Sequence, residues 1–123
     1  MSPSKHVVAA IDDDRRVRES IRSVLESAGY EPEMFGSAEE FLDSGVLTRA
    51  RCVIADVRLP GIDGIELQRR IRTQHPPPPV ILITAHDDDG VREKALQGGA
   101  VAFLLKPFDA ADLLDHIERS LKS

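Results

Sequence analysis

Five short apolar runs recur along this chain, none longer than a strand, with segments of helical periodicity between them. They cover residues 6–11, 31–35, 52–55, 80–84 and 101–105. Runs this brief, rich in β-branched residues and flanked by breakers, are strands rather than helices. The second, Glu31 to Phe35, is more polar than the others and belongs at a sheet edge. After the first run, Val17, Ile21, Val24, Leu25 and Ala28 form one helical stripe that Gly29 stops. Ser37 with Glu40, and Asp63 with Glu66, have capping-box spacing and open the second and third helices. The third carries Ile65, Leu67 and Ile71 and is expected to end near His75, since Pro76 to Pro79 forbid its continuation. That proline tract reads as a stiff connection rather than a polyproline ligand. Val91 to Gln97 is a short fourth helix ended by Gly98 and Gly99. Asp109 caps a fifth, with Leu113, Leu114, Ile117 and Leu121 on its buried face.

Strict alternation of strand and helix implies crossover connections, hence parallel strands with helices on both faces. The expected fold class is α/β, a flavodoxin-like (βα)5 doubly wound parallel sheet with strand order 2-1-3-4-5. The 123 residues suit a single domain, 1–123, with one core. A formal net charge of -5 argues against nucleic-acid or anionic-membrane contact by this segment. No apolar run reaches the length of a membrane span or a secretory signal. The lone cysteine, Cys52, cannot form an internal disulfide; it reads as a buried thiol in a reduced, cytoplasmic compartment.

In such a sheet the carboxyl ends of all strands share one edge, where open α/β folds bind ligands. The first strand delivers Asp12 and Asp13 there, the third Asp56, the fourth Thr84 and the fifth Lys106. Clustered carboxylates raise one another's pKa unless a cation neutralises them. A small hard cation fits, Mg²⁺ with Mn²⁺ as an alternative, since Mg²⁺ takes one or two protein carboxylates with waters and a phosphate. Lys106 supplies a fixed positive charge and Thr84 a hydrogen-bond donor. Phosphoryl transfer needs mainly positioning and charge neutralisation. Asp56 is the candidate nucleophile, because a carboxylate can accept a phosphoryl group as an acyl phosphate. Asp14 reads as a helix cap rather than a third metal ligand. Asp87, Asp88 and Asp89 read as a solvated loop favouring the next helix N-terminus. His6, His75 and His116 have no metal-ligand spacing.

Four stretches, in order and at strand ends, carry a family resemblance: I-D-D-D at 11–14, D-V-R-L-P-G-I-D-G at 56–64, I-T-A at 83–85 and F-L-L-K-P-F at 103–108. The chain resembles a response-regulator receiver domain of two-component signalling from about His6 to Leu121. S-A-E-E-F-L at 37–42 and T-A-H at 84–86 resemble the FixJ-like subgroup. The resemblance implies that Asp56 is phosphorylated from the phosphohistidine of a sensor histidine kinase. It implies Mg²⁺ ligation by Asp13, Asp56 and the backbone carbonyl of Arg58, with Asp12 acting through a water. It implies that Lys106 pairs with a phosphoryl oxygen, that Thr84 and Phe103 switch, and that Lys106–Pro107 is cis. Arg58 and His86 would tune the lifetime of the phosphoryl group. The surface of the fourth helix, fifth strand and fifth helix would then choose a partner, a homodimer among them.

Rival readings are weaker. A haloacid-dehalogenase-type phosphatase wants D-x-D after the first strand, and this chain has consecutive aspartates there. A flavodoxin-like cofactor binder wants Ser, Thr and Gly in that loop. A receiver fold that no longer accepts phosphate would not keep all five site residues. The domain is accordingly expected to be a phospho-acceptor rather than an enzyme. A DNA-binding output domain, where there is one, is expected beyond Ser123.

Overall fold

Each expected apolar run is a strand, and all five strands point the same way. The computed structural model describes residues 5–86 and 89–122, so the expectation for Asp87 and Asp88 lies outside the described residues. In chain order the elements are β1 (Val7–Ile11), α1 (Arg15–Ser27), β2 (Glu31–Phe35), α2 (Ala38–Ser44), a single 3-10 turn (Val46–Thr48), β3 (Cys52–Asp56), α3 (Gly64–Ile71), β4 (Val80–Thr84), α4 (Asp89–Gln97), β5 (Ala102–Leu105) and α5 (Ala110–Lys122). The strands form one sheet in the order β2-β1-β3-β4-β5, and every neighbouring pair is parallel. The chain thus has the doubly wound flavodoxin-like topology expected of it.

The period-two alternation of strand side chains divides the core between two faces. Ala9, Ile11, Val53, Ala55 and Leu82 pack with Phe41 of α2, Leu67 and Ile71 of α3 and Ala95 of α4. Val8, Ala10, Ile54, Ile81 and Ile83 pack with Ile21 and Leu25 of α1 and Leu113 and Ile117 of α5. Strands β1, β3 and β4 are buried along their whole length, because helices cover both faces. Strand β2 is half-buried throughout, as an edge strand should be.

Local chemistry sets the element ends. Ser37 Oγ accepts the Glu40 amide at 3.1 Å, but the Glu40 carboxylate accepts the Gly36 amide at 3.2 Å, one residue before the cap. Asp63 Oδ1 accepts the Glu66 amide at 2.9 Å, while the Glu66 carboxylate turns to Arg69 and Arg70 instead of closing a box. Helix α3 stops at Ile71, short of His75. Thr73 N and Gln74 N bond three residues back, to Arg70 O at 3.2 Å and Ile71 O at 3.0 Å, which tightens the last turn out of α geometry. Helix α4 begins at Asp89, two residues before the expected Val91. Ala28, assigned to the α1 stripe, is exposed beyond the helix end, where Gly29 at φ +86° turns the chain toward β2. The His75–Pro76 and Lys106–Pro107 peptides are both cis.

Cys52 is fully buried, and burial pushes its thiol up to about 12. A thiolate is the reactive form. The native protein should therefore resist iodoacetamide at pH 8 and take one label per chain in urea, as read by intact mass; rapid native labelling would show that β3 opens locally.

Candidate functional site at the carboxyl edge of the sheet

Strand register decides which side chains meet. Ile11 lies beside Ala55 and Asp56 beside Ile83, so the residue after β1, Asp12, flanks Asp56 at the same edge. Thr84 ends β4 and pairs with Leu105, so Lys106 follows immediately on the far side. Asp12, Asp13, Asp56 and Lys106 are thereby brought together, with Thr84 at the end of the intervening strand. Lys106 Nζ lies 2.7 Å from Asp12 Oδ2 and 2.7 Å from Asp56 Oδ2.

The inner groups of the pocket are buried. Asp12 is 0% exposed, Asp56 6% and Thr84 1%, while Asp13 is exposed at the rim. Burial, the largest influence, pushes the Asp12 pKa up from its ordinary 3.8; the Lys106 bond and the Asp14 amide oppose it, and Asp56 adds to the rise. Burial draws Lys106 down, but its two carboxylate partners outweigh that, so its pKa rises from 10.5. The second oxygen of Asp56, Oδ1, accepts the Arg58 amide at 3.0 Å. Thr84 Oγ1 accepts the His86 amide at 3.2 Å, and among the described residues its own hydroxyl proton goes to no acceptor. Arg18 of α1 donates to the Asp12 carbonyl at 2.8 Å and fixes the start of the acidic loop.

Asp12, Asp13 and Asp56 form a cluster that could hold a metal ion: one carboxylate oxygen from each lies within 4.8 Å of the others. The donors are all hard oxygens, which fits Mg²⁺ and excludes a soft-metal site. Three carboxyl groups face one ammonium, so acids outnumber cations here, an imbalance that a divalent cation offsets. Asp14 is not part of this cluster; its carboxylate accepts the Arg16 amide at 2.8 Å as the N-cap of α1. A groove of about 760 Å³ leads from Asp13 past Arg58 and Pro60 to Val91 and Lys94 of α4. Phe103, on β5, is half-buried, with the Arg92 guanidinium 5.3 Å from its ring centroid. The proline tract lines a separate cavity of about 470 Å³ with Arg51 and Leu121, away from these acids.

Two polar contacts had no sequence signal. Gln68 of α3 is 2% exposed and donates to Ala95 O at 3.1 Å. Glu39 of α2 accepts the Ile62 amide at 3.0 Å. Neither sits at a strand end, and each meets a backbone group more than twenty positions away.

By class this is a doubly wound α/β domain of flavodoxin-like topology with a charged crevice where the sheet's carboxyl ends meet. Residues 8–118 match the response regulator receiver domain, and the chain belongs to that family, the receiver modules of two-component signalling. It is 40% identical over 119 residues to the transcriptional regulatory protein FixJ of Bradyrhizobium diazoefficiens, covering 97% of this chain and 58% of that protein. The chain therefore spans little more than half the length of that relative. Among solved structures, FixJ-N is 32% identical with a TM-score of 0.85, covering 98% of this chain and 96% of that one. A BeF3-activated DrrB receiver domain is 30% identical with a TM-score of 0.89, covering 98% and 100%.

Lys106→Met should show what the bridge does. Asp12 would lose the contacts that hold its pKa down and keep the burial that raises it. A carboxyl whose folded pKa is raised binds its proton more tightly when folded, so it costs stability above that pKa and less as pH falls toward 3.8. Urea unfolding should show a loss of about 3 kcal/mol at pH 7, shrinking as pH falls toward 3.8 and partly restored by Mg²⁺. A loss independent of pH would deny the electrostatic role.

Proposed function

We propose that this domain is a phospho-acceptor switch: Asp56 takes a phosphoryl group from the phosphohistidine of a sensor histidine kinase, in a Mg²⁺-dependent reaction. The supporting observation is the Lys106 ammonium held 2.7 Å from oxygens of both Asp12 and Asp56, whose side chains are buried. An Asp56 oxygen attacks phosphorus, the phosphorus–nitrogen bond of the donor breaks, and the imidazole leaves with the electron pair. Asp13, Asp56 and the Arg58 carbonyl would hold Mg²⁺, with Asp12 acting through a water; Mn²⁺ suits the same oxygens. When bound, the ion offsets charge on the acids and the phosphoryl group.

The chain's own groups do the rest. Lys106 leaves Asp56 Oδ2 for a phosphoryl oxygen, which frees the nucleophile as the new charge arrives. The uncommitted Thr84 proton goes to a second phosphoryl oxygen, and Phe103 moves inward behind it. Arg58 and His86 stand beside the pocket and set how long the acyl phosphate survives. The domain assists only its own phosphorylation and dephosphorylation, so it is a regulatory module rather than a turnover enzyme. Its output surface is α4, β5 and α5, where Leu96, Val101 and Leu105 are exposed apolar side chains. That surface would form a homodimer on phosphorylation or control an output domain. The described residues form one receiver unit, and a DNA-binding output domain beyond Ser123 accords with the greater length of FixJ. Among the described residues no helix is long and apolar enough to cross a membrane. A cytoplasmic site of action follows from the kinase partner and the buried free thiol.

Acetyl phosphate with Mg²⁺ should add one phosphoryl group to the chain by intact mass. Asp56→Asn or chelation by EDTA should abolish it, and labelling of Asp56→Asn at the native rate would refute the acceptor assignment.

A further inference from the structure

The loop from 57 to 63 joins the acceptor strand to α3 with no regular structure of its own. Its first residues are well tied: Val57 N bonds Ile83 O at 2.8 Å, and Arg58 N bonds Asp56 Oδ1 at 3.0 Å. Its end closes on its start, with Gly64 N bonded to Val57 O at 2.9 Å. That closure is tight. A Cβ at Gly64 would run into the Asp56 carbonyl oxygen and lie 2.8 Å from the Val57 Cα. Displacement of the loop is therefore felt directly at the backbone of Asp56.

The middle of the loop is held differently. Pro60 has no amide hydrogen. Among the described residues, one side chain from another element hydrogen-bonds to the stretch after Arg58. It is Glu39, whose Oε2 accepts the Ile62 amide at 3.0 Å. The same carboxylate lies across Gly61, filling the place where a Cβ would stand. Gly61 has φ +74°, so glycine here serves both the turn and the close approach. The anchor's side chain is exposed, but its backbone sits on a packed turn. Glu39 is in the first turn of α2, between the Ser37 cap and the fully buried Phe41, with Ala38 also buried beside it. The Ile62 bond is the main cause holding the Glu39 carboxyl below its usual range, so it is ionised at neutral pH.

We propose that Glu39 is a positioning residue for the acceptor site: by clamping Gly61 and Ile62 it fixes the loop that carries the Arg58 carbonyl and backs Asp56, and so sets the affinity for the divalent cation. This rests on the reading of the site given above. Glu39 touches neither the acids nor Lys106; it acts through the loop backbone. A carboxylate suits the task because a hydrogen bond to a charged acceptor is about twice as strong as a neutral one.

Glu39→Ala and Glu39→Gln separate this from a merely stabilising contact. The full chain is followed by amide hydrogen exchange at Ile62 without metal, by Mg²⁺ titration in NMR, and by urea unfolding. Glu39→Ala should expose the Ile62 amide to exchange. It should also weaken Mg²⁺ binding by about 3–10-fold, at or below the usual range for loss of an outer partner, with the urea midpoint little changed. Glu39→Gln keeps an acceptor oxygen and should return the affinity to within about twofold of the native value. Native affinity in Glu39→Ala, or equal losses in both variants, overturns the inference while leaving the phospho-acceptor reading intact. A native chain that takes up no Mg²⁺ overturns that reading, and this inference with it.

Discussion

Two carboxylates from different strands share one ammonium, and the carboxyl edge of the sheet is built to permit it. Asp12 has no exposed surface, so its charge loses most of its bulk solvation. Asp56 is its neighbour and pushes its pKa further up. Lys106 is the cation that makes the pair tolerable, and it arrives from two strands beyond Asp56 in the sheet order. Neighbouring strands lie about 4.8 Å apart, so its stem must pass over the end of β4. The residue there is Thr84, small and buried, and Lys106 N bonds the Thr84 carbonyl at 2.8 Å.

The strand ends were legible in the sequence because two signals coincide there. Apolar runs fix where each strand lies, and in a parallel sheet direction alone puts Asp12, Asp56, Thr84 and Lys106 at one edge. The acid–lysine bridge follows from that convergence, although the division of Lys106 between two oxygens does not. Glu39 and Gln68 were illegible for the opposite reason. Both are polar residues inside helices, and both bond to backbone groups of remote elements. A backbone partner leaves no residue type to search for. The end of α3 was misplaced because prolines mark where a helix cannot continue, not where it stops; the turn through Thr73 and Gln74 intervenes.

The sheet also divides the site into fixed and movable parts. Strands β1, β3 and β4 are buried along their length and carry the core of both faces, so Asp12 and Asp56 project from the best-packed part of the molecule. Close packing resists small displacements. Strand β5 is different. It is an edge strand whose burial falls from Ala102 to the exposed Leu105, and it bears Phe103 and Lys106.

That division suits a switch better than a uniformly rigid pocket would. A nucleophile and its metal ligands gain from being fixed, since misplacement costs reactivity. A group that must exchange one partner for another gains from a long stem on a lightly packed element. Lys106 meets that need, held by its main chain to Thr84 while its ammonium divides between oxygens of two acids. Phe103 meets it too, half-buried and covered on one side by an arginine rather than by core. In the proposed reaction the charge change falls on the fixed acids, and the response falls on the edge strand beside α4 and α5. Any conformational change is then confined to the side of the sheet where repacking disturbs the core least.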